Sequence, residues 1–176
     1  LVATQVEVPP GALRAAQAAV LDDALYVAGL GAAGDAQLWS RPLAAAQAQA
    51  GWRQHAGWPG AATPTTLVAQ KFALYLTAAD DGLWQWTPAD GWVTRGRVPG
   101  GEAVGEAKAI GQAHVLYLPA TTGQPPRLFH TITGSWTDWP ARAPVAPAAL
   151  AAWRNGLVWL DRDGGAHQGQ LESSKH

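Results

Sequence analysis

Leu25-Tyr26-Val27, Leu74-Tyr75-Leu76, Leu116-Tyr117-Leu118 and Val158-Trp159-Leu160 are four versions of one pattern, an aromatic residue between two aliphatic ones. Their centres lie 49, 42 and 42 residues apart, and all three tyrosines of the chain stand in them. A period of that size marks a repeat architecture, in which each unit buries its apolar faces only by stacking against its neighbours.

The surroundings of the pattern repeat with it. A run of small residues precedes each copy: Ala16 to Val20, Thr65 to Ala69, Ala107 to Ile110 and Ala148 to Ala152. After the first three copies come Leu38-Trp39, Leu83-Trp84 and Leu128-Phe129, then Gly51-Trp52, Gly91-Trp92 and Ser135-Trp136. These units close near a proline, at Trp58-Pro59, Val98-Pro99 and Trp139-Pro140. Four short segments per unit, separated by Gly, Asp and Pro, read as four strands joined by tight turns. The clearest hairpin is Gly82 to Thr87, which alternates, turns through Pro88 to Gly91 and restarts at Trp92. Its Asp90-Gly91 pair supplies the positive φ that such turns need. The alanine run Ala44 to Ala50 has no cap, lies between two expected strands, and reads as an extended loop or single turn.

Units of this length with four strands each are propeller blades. The expected fold is all-β, a single β-propeller domain over residues 1–176 with four four-stranded blades, at about 11–58, 59–99, 100–140 and 141–171. The last unit has a third strand at Ala166 to Leu171 but no Trp-containing fourth. Residues 1–10 end in Val8-Pro9, like Val98-Pro99, so Thr4 to Val8 is expected to supply that outer strand and close the ring. Closure of this kind removes an exposed sheet edge. Trp39, Trp52, Trp84, Trp92, Trp136 and Trp159 hold repeat-equivalent positions and are expected to pack between blades. Trp58, Trp86, Trp139 and Trp153 are less regular, and Trp58 and Trp139, at the handover between blades, are candidates for stacking on a sugar.

Composition narrows function by exclusion. A net charge of −1 without runs of like charge gives no field to attract nucleic acid or an anionic membrane. Without cysteine there is neither disulfide nor thiolate metal site. No apolar stretch approaches the roughly 20 residues needed to span a bilayer. The histidines, His55, His114, His130, His167 and His176, are not spaced as zinc ligands, so no metal is expected. There is no Gly-rich phosphate loop, and none of Ser40, Ser135, Ser173 and Ser174 stands in a Gly-x-Ser-x-Gly frame, so no cofactor is expected either. The start at Leu1 reads as a processed or excised piece.

Propellers bind ligands at one end of the central channel. The polar residues expected there include Arg14, Asp35, Asp80, Asp81, Glu102, Glu106, Lys108, Arg127, Arg142, Asp161 and Asp163. Arg14 and Arg142 occupy corresponding inter-blade loops, as do Glu102 and Glu106.

Leu128 to Trp136, followed by Ala143-Pro144-Val145-Ala146-Pro147 and Ala148 to Leu157, resembles the late blades of bacterial kelch propellers, the N-acetylneuraminate epimerases or sialic acid mutarotases and their cyclically permuted relatives. Gly11 to Gly60 is similar to a kelch blade in a looser way. Two departures stand out. The Gly-Gly pair that ends the second kelch strand is replaced by Ala28-Gly29, Ala78-Ala79, Pro119-Ala120 and Asp161-Arg162, and the family has six blades where four are counted here.

The resemblance implies an extracytoplasmic (periplasmic or extracellular) domain that recognises a sialic-acid-like carbohydrate. Relatives fused ahead of sodium/solute symporter domains imply a membrane transporter as covalent partner, with residues 171–176 suited to a junction. An arginine would grip the sugar carboxylate through two parallel hydrogen bonds, with Arg14, Arg127, Arg142, Lys108, His114, Trp58 and Trp139 as ligand-binding candidates. Mutarotation needs a general acid and a general base at the anomeric centre, which points to Glu102 and Glu106 with an arginine or His114. An active mutarotase and a protein-interaction scaffold without small ligand are the alternatives.

Overall fold

The computed structural model describes residues 8–43, 51–101, 103–121, 124–138, 149–153, 156–160 and 165–170. The described residues form fifteen strands in four antiparallel sheets that follow one another along the chain. Sheet one is β1 (Arg14–Leu21), β2 (Ala24–Leu30), β3 (Ala36–Pro42) and β4 (Arg53–His55). Sheet two is β5 (Pro64–Gln70), β6 (Ala73–Ala78), β7 (Gly82–Thr87) and β8 (Gly91–Arg97). Sheet three is β9 (Val104–Ile110), β10 (His114–Pro119), β11 (Arg127–His130) and β12 (Trp136–Asp138), and sheet four is β13 (Ala149–Trp153), β14 (Gly156–Leu160) and β15 (Ala166–Gln170). Strands β1, β5 and β9 lie side by side, and β13 follows beside β9. Residues 4–7 of the expected closing strand and the alanine run at 44–50 fall outside the described residues, and Val8 itself is not in a strand.

Local chemistry makes these meanders. The β1–β2 turn runs through Asp22 and Asp23, both at positive φ (47° and 58°), a conformation aspartate tolerates and the twist of a two-residue hairpin favours. In the β7–β8 turn the Asp90 N–H donates to Thr87 Oγ1 at 3.0 Å, and that hydroxyl donates to the Asp90 carboxylate at 3.1 Å. Gly91 follows at φ 68°, as its sequence requires.

The core consists of three apolar layers, one between each pair of successive sheets. Tyr26, Ala28 and Leu38 of sheet one share the first with Leu67, Leu74, Leu76 and Trp86 of sheet two. Tyr75 and Leu83 share the second with Val115, Tyr117 and Phe129. Ile110, Leu116, Leu118 and Leu128 share the third with Leu157 and Trp159. A rule of facing follows, because side chains alternate along a strand. The second and fourth residues of β6, β10 and β14 face the preceding sheet, and the third residues of β2, β6 and β10 face the next one.

This rule corrects the reading of the repeat. Tyr26 and Tyr75 are third in their strands, whereas Tyr117 and Trp159 are fourth, so the aromatic of the pattern faces forward in two sheets and backward in the other two. In sheet three the cause is a turn of three residues (111–113) where sheets one and two use two, and one added residue exchanges the faces. The tryptophans also divide differently. Trp58, Trp86 and Trp159 are buried, while Trp39, Trp52, Trp84, Trp92 and Trp136 are half-buried, with Trp84, Trp92 and Trp136 packed against the layers between sheets as expected.

Candidate functional site

Sheet three carries four of the six candidate residues that are described: Glu106, Lys108, His114 and Arg127. Glu106 and Lys108 are two apart on β9 and share a face, with Oε1 and Nζ 2.8 Å apart and both side chains part-exposed. Their cross-strand partners are Leu118 and Leu116, which belong to the layer toward sheet four. Arg127 is on the other face, opposite Tyr117 and beside Val98 and Pro99 of the second-to-third sheet junction. Its Nη1 donates to the Asp138 carboxylate at 2.9 Å. The structure therefore brings Glu106 and Lys108 together and sets Arg127 apart from them. Arg14 starts β1, where its Nη2 reaches the Gly31 carbonyl at 3.5 Å. Glu102, Arg142 and Trp139 lie outside the described residues.

Two expectations need correction. Trp58 is 2% exposed, its Nε1 donates to the Ala62 carbonyl at 3.1 Å, and its ring meets Trp92 edge-on at 6.0 Å. A ring so enclosed has no face for a sugar. His114 pairs with Ile110 at the far end of β9, four residues from Glu106 or about 13 Å along a strand. It therefore cannot act as the acid or base opposite Glu106, since proton transfer needs hydrogen-bond reach.

Two histidine contacts were missed in the sequence. His114 and His130 are cross-strand partners with ring centroids 4.6 Å apart, and His130 Nδ1 accepts the Thr133 N–H at 3.2 Å. His55 Nε2 lies 2.7 Å from Ser40 Oγ, its ring flanked by Trp86 at 5.1 Å and Tyr26 at 6.0 Å. Hairpin register would have revealed the first pair, but no local signal marks the second. Burial, and then the charge of Arg53, pushes the His55 pKa below its ordinary 6.5. Burial, and then His130, does the same to His114. Above about pH 6.5 both are neutral folded and unfolded; below it the unfolded chain takes up protons that the folded chain resists. Stability is thus expected to fall as the pH drops below 6.5. Urea midpoints at pH 7.5 and 5.5 test this, and replacing both residues with glutamine should flatten the difference.

Among the described residues no group of three or more His, Asp or Glu is placed to hold a metal ion, and no helix is long and apolar enough to cross a membrane.

No family model matches the chain. No curated protein matches it in sequence. Solved structures do. The computationally designed Ika4 protein is 15% identical, with 96% of each chain covered and a TM-score of 0.63. The N-terminal domain of Nup159, a protein of S. cerevisiae, is 9% identical over 96% of this chain and 43% of that one (TM-score 0.58). The catalytically inactive H270A virginiamycin B lyase from Staphylococcus aureus is 10% identical over 90% of this chain and 56% of that one (TM-score 0.59). The chain thus matches the whole of one neighbour and about half the length of the other two. The last two are β-propeller proteins, and at these identities the likeness is one of fold.

Proposed function

We propose that the chain is an extracytoplasmic sugar-recognition propeller, taking a sialic-acid-like acidic sugar and serving a linked membrane transporter. The observation that carries this reading is the Glu106–Lys108 pair on the innermost strand of sheet three. A part-exposed ion pair contributes only about 0–1 kcal/mol to stability, so the fold has little need of it. An adjacent carboxylate and ammonium instead offer an acceptor for sugar hydroxyls and a cation for a sugar carboxylate. On this reading the propeller is kelch-type, with four blades and a ring closed by residues 4–8 as the outer strand of sheet four. The support for closure is the sequence match of Val8-Pro9 to Val98-Pro99; Val98 is buried between sheets two and three, whereas Val8 is exposed.

Saturation-transfer NMR with N-acetylneuraminic acid tests the reading. A transfer signal is expected, and it should be lost in Lys108→Ala and weakened in Glu106→Gln. No transfer from any acidic or neutral sugar at millimolar concentration would overturn it. With His114 remote from Glu106, binding is expected without faster exchange between anomers, and accelerated exchange would favour the active mutarotase.

One observation favours a protein-interaction scaffold as the second reading. Phe72 and Ile132 are each 71% exposed at the tips of the β5–β6 and β11–β12 turns. On that reading Phe72→Asp with Ile132→Asp abolishes partner capture, and the full-length chain binds no sugar.

A further inference from the structure

The facing rule leaves two apolar surfaces without a sheet. Leu25 and Val27 are second and fourth in β2, positions that in β6, β10 and β14 pack against the preceding sheet. No described sheet precedes sheet one. These residues instead line an apolar cavity with Val8, Leu13, Ala16 and Trp52. Val20 on the same side of β1 is 54% exposed, although Ala69 at the matching place in β5 packs into the first core layer. Trp52 fits the pattern too, because Trp92 and Trp136 at its repeat positions pack against the layer shared with their preceding sheet.

At the other end of the chain the mismatch is complementary. Val158 is third in β14 and Leu160 fifth, the positions at which Tyr26 and Ala28 of sheet one, and Leu116 and Leu118 of sheet three, face the next sheet. They are 40% and 43% exposed. Isolated apolar residues on a surface are unremarkable, but two faces in the register of three filled interfaces are a patch awaiting a partner.

We infer that the outward face of sheet four, Val158 and Leu160, docks on the rear face of sheet one, formed by Val20, Leu25, Val27 and Trp52. The occupant of the apolar cavity is thus the chain's own last sheet. The proposal rests on the closed four-blade reading given above and adds which surfaces meet. It also makes this junction unlike the other three: Trp39 and Arg41, the β3 partners of Val27 and Leu25, share the rear face of sheet one, so a cation stands where sheet two has Trp86 opposite Leu74.

The absence of cysteine gives a clean test. In the first junction β2 approaches β5, so the matching approach here is β14 to β1. The full chain carrying Val158→Cys with Val20→Cys, and separately Val158→Cys with Ala18→Cys, is treated with a short bismaleimide and analysed by gel and peptide mass spectrometry. An intramolecular link in most of the monomer, in at least one pair, is the expected result. A covalent dimer would show that a second copy covers the face, and an unlinked monomer would show that the sheets do not meet; either overturns the proposal. Val6→Pro in the same background reports on the closing strand by itself. If it leaves thermal stability unchanged while the link forms, the junction stands and the N-terminal strand does not.

Discussion

Phe129→Ala is expected to destabilise the protein by about 3–5 kcal/mol. Phe129 is fully buried on β11, with Trp136 at 4.9 Å and Tyr75 of the neighbouring sheet at 6.1 Å between ring centroids. The Arg95 guanidinium lies 5.7 Å from its ring centroid. Truncation therefore removes contacts both within sheet three and across to sheet two, and the cavity left is walled by rigid rings that cannot collapse into it. Urea denaturation of the variant measures the loss. Phe72→Ala is the control, since a side chain so exposed should cost no more than about 0.5 kcal/mol. Equal midpoints for the two variants would remove Phe129 from the core.

Gly57→Ala is expected to be the next most damaging change. A Cβ at this position would run into the carbonyl group and Cβ of Ala36. Backbone cannot turn aside as a flexible side chain can, so the β4–β5 connection must shift. Overpacking of this kind costs about 1–3 kcal/mol. The neighbouring residue is Trp58, whose indole bond to Ala62 and contact with Trp92 tie the first sheet to the second, so the displacement is transmitted into the core. Gly51→Ala is the matched control, because a Cβ there meets nothing within 4 Å. Both are read by thermal unfolding, and comparable midpoints would contradict the close approach at Gly57.

The strands were legible because the repeat combined two independent signals, spacing of apolar residues and turn chemistry. The inner strand expected at Thr65 to Ala69 is found at Pro64–Gln70, and the third strand expected at Ala166 to Leu171 is found at Ala166–Gln170. Facing was less legible. The pattern around Tyr117 matches that around Tyr75 by eye, yet the longer turn at 111–113 puts the two rings on opposite sides of their sheets. Burial is a separate matter at Trp58, whose position at the handover between units points to a ligand face while its ring packs inward. The candidate site was legible only in part. Glu106, expected in an inter-blade loop, lies instead on β9 two residues from Lys108, and nothing in a linear sequence says that Arg127 occupies the other face or that His114 sits at the far end of the strand.

A titration of the ¹⁵N-labelled chain with N-acetylneuraminic acid, followed in ¹H–¹⁵N correlation spectra, tests the sugar-recognition claim most directly. Saturable shifts centred on the amides of Glu106, Lys108 and their β10 partners Leu116 and Leu118 are the predicted result. Spectra unchanged at millimolar sugar, or shifts confined to the Phe72 and Ile132 turns, would contradict it.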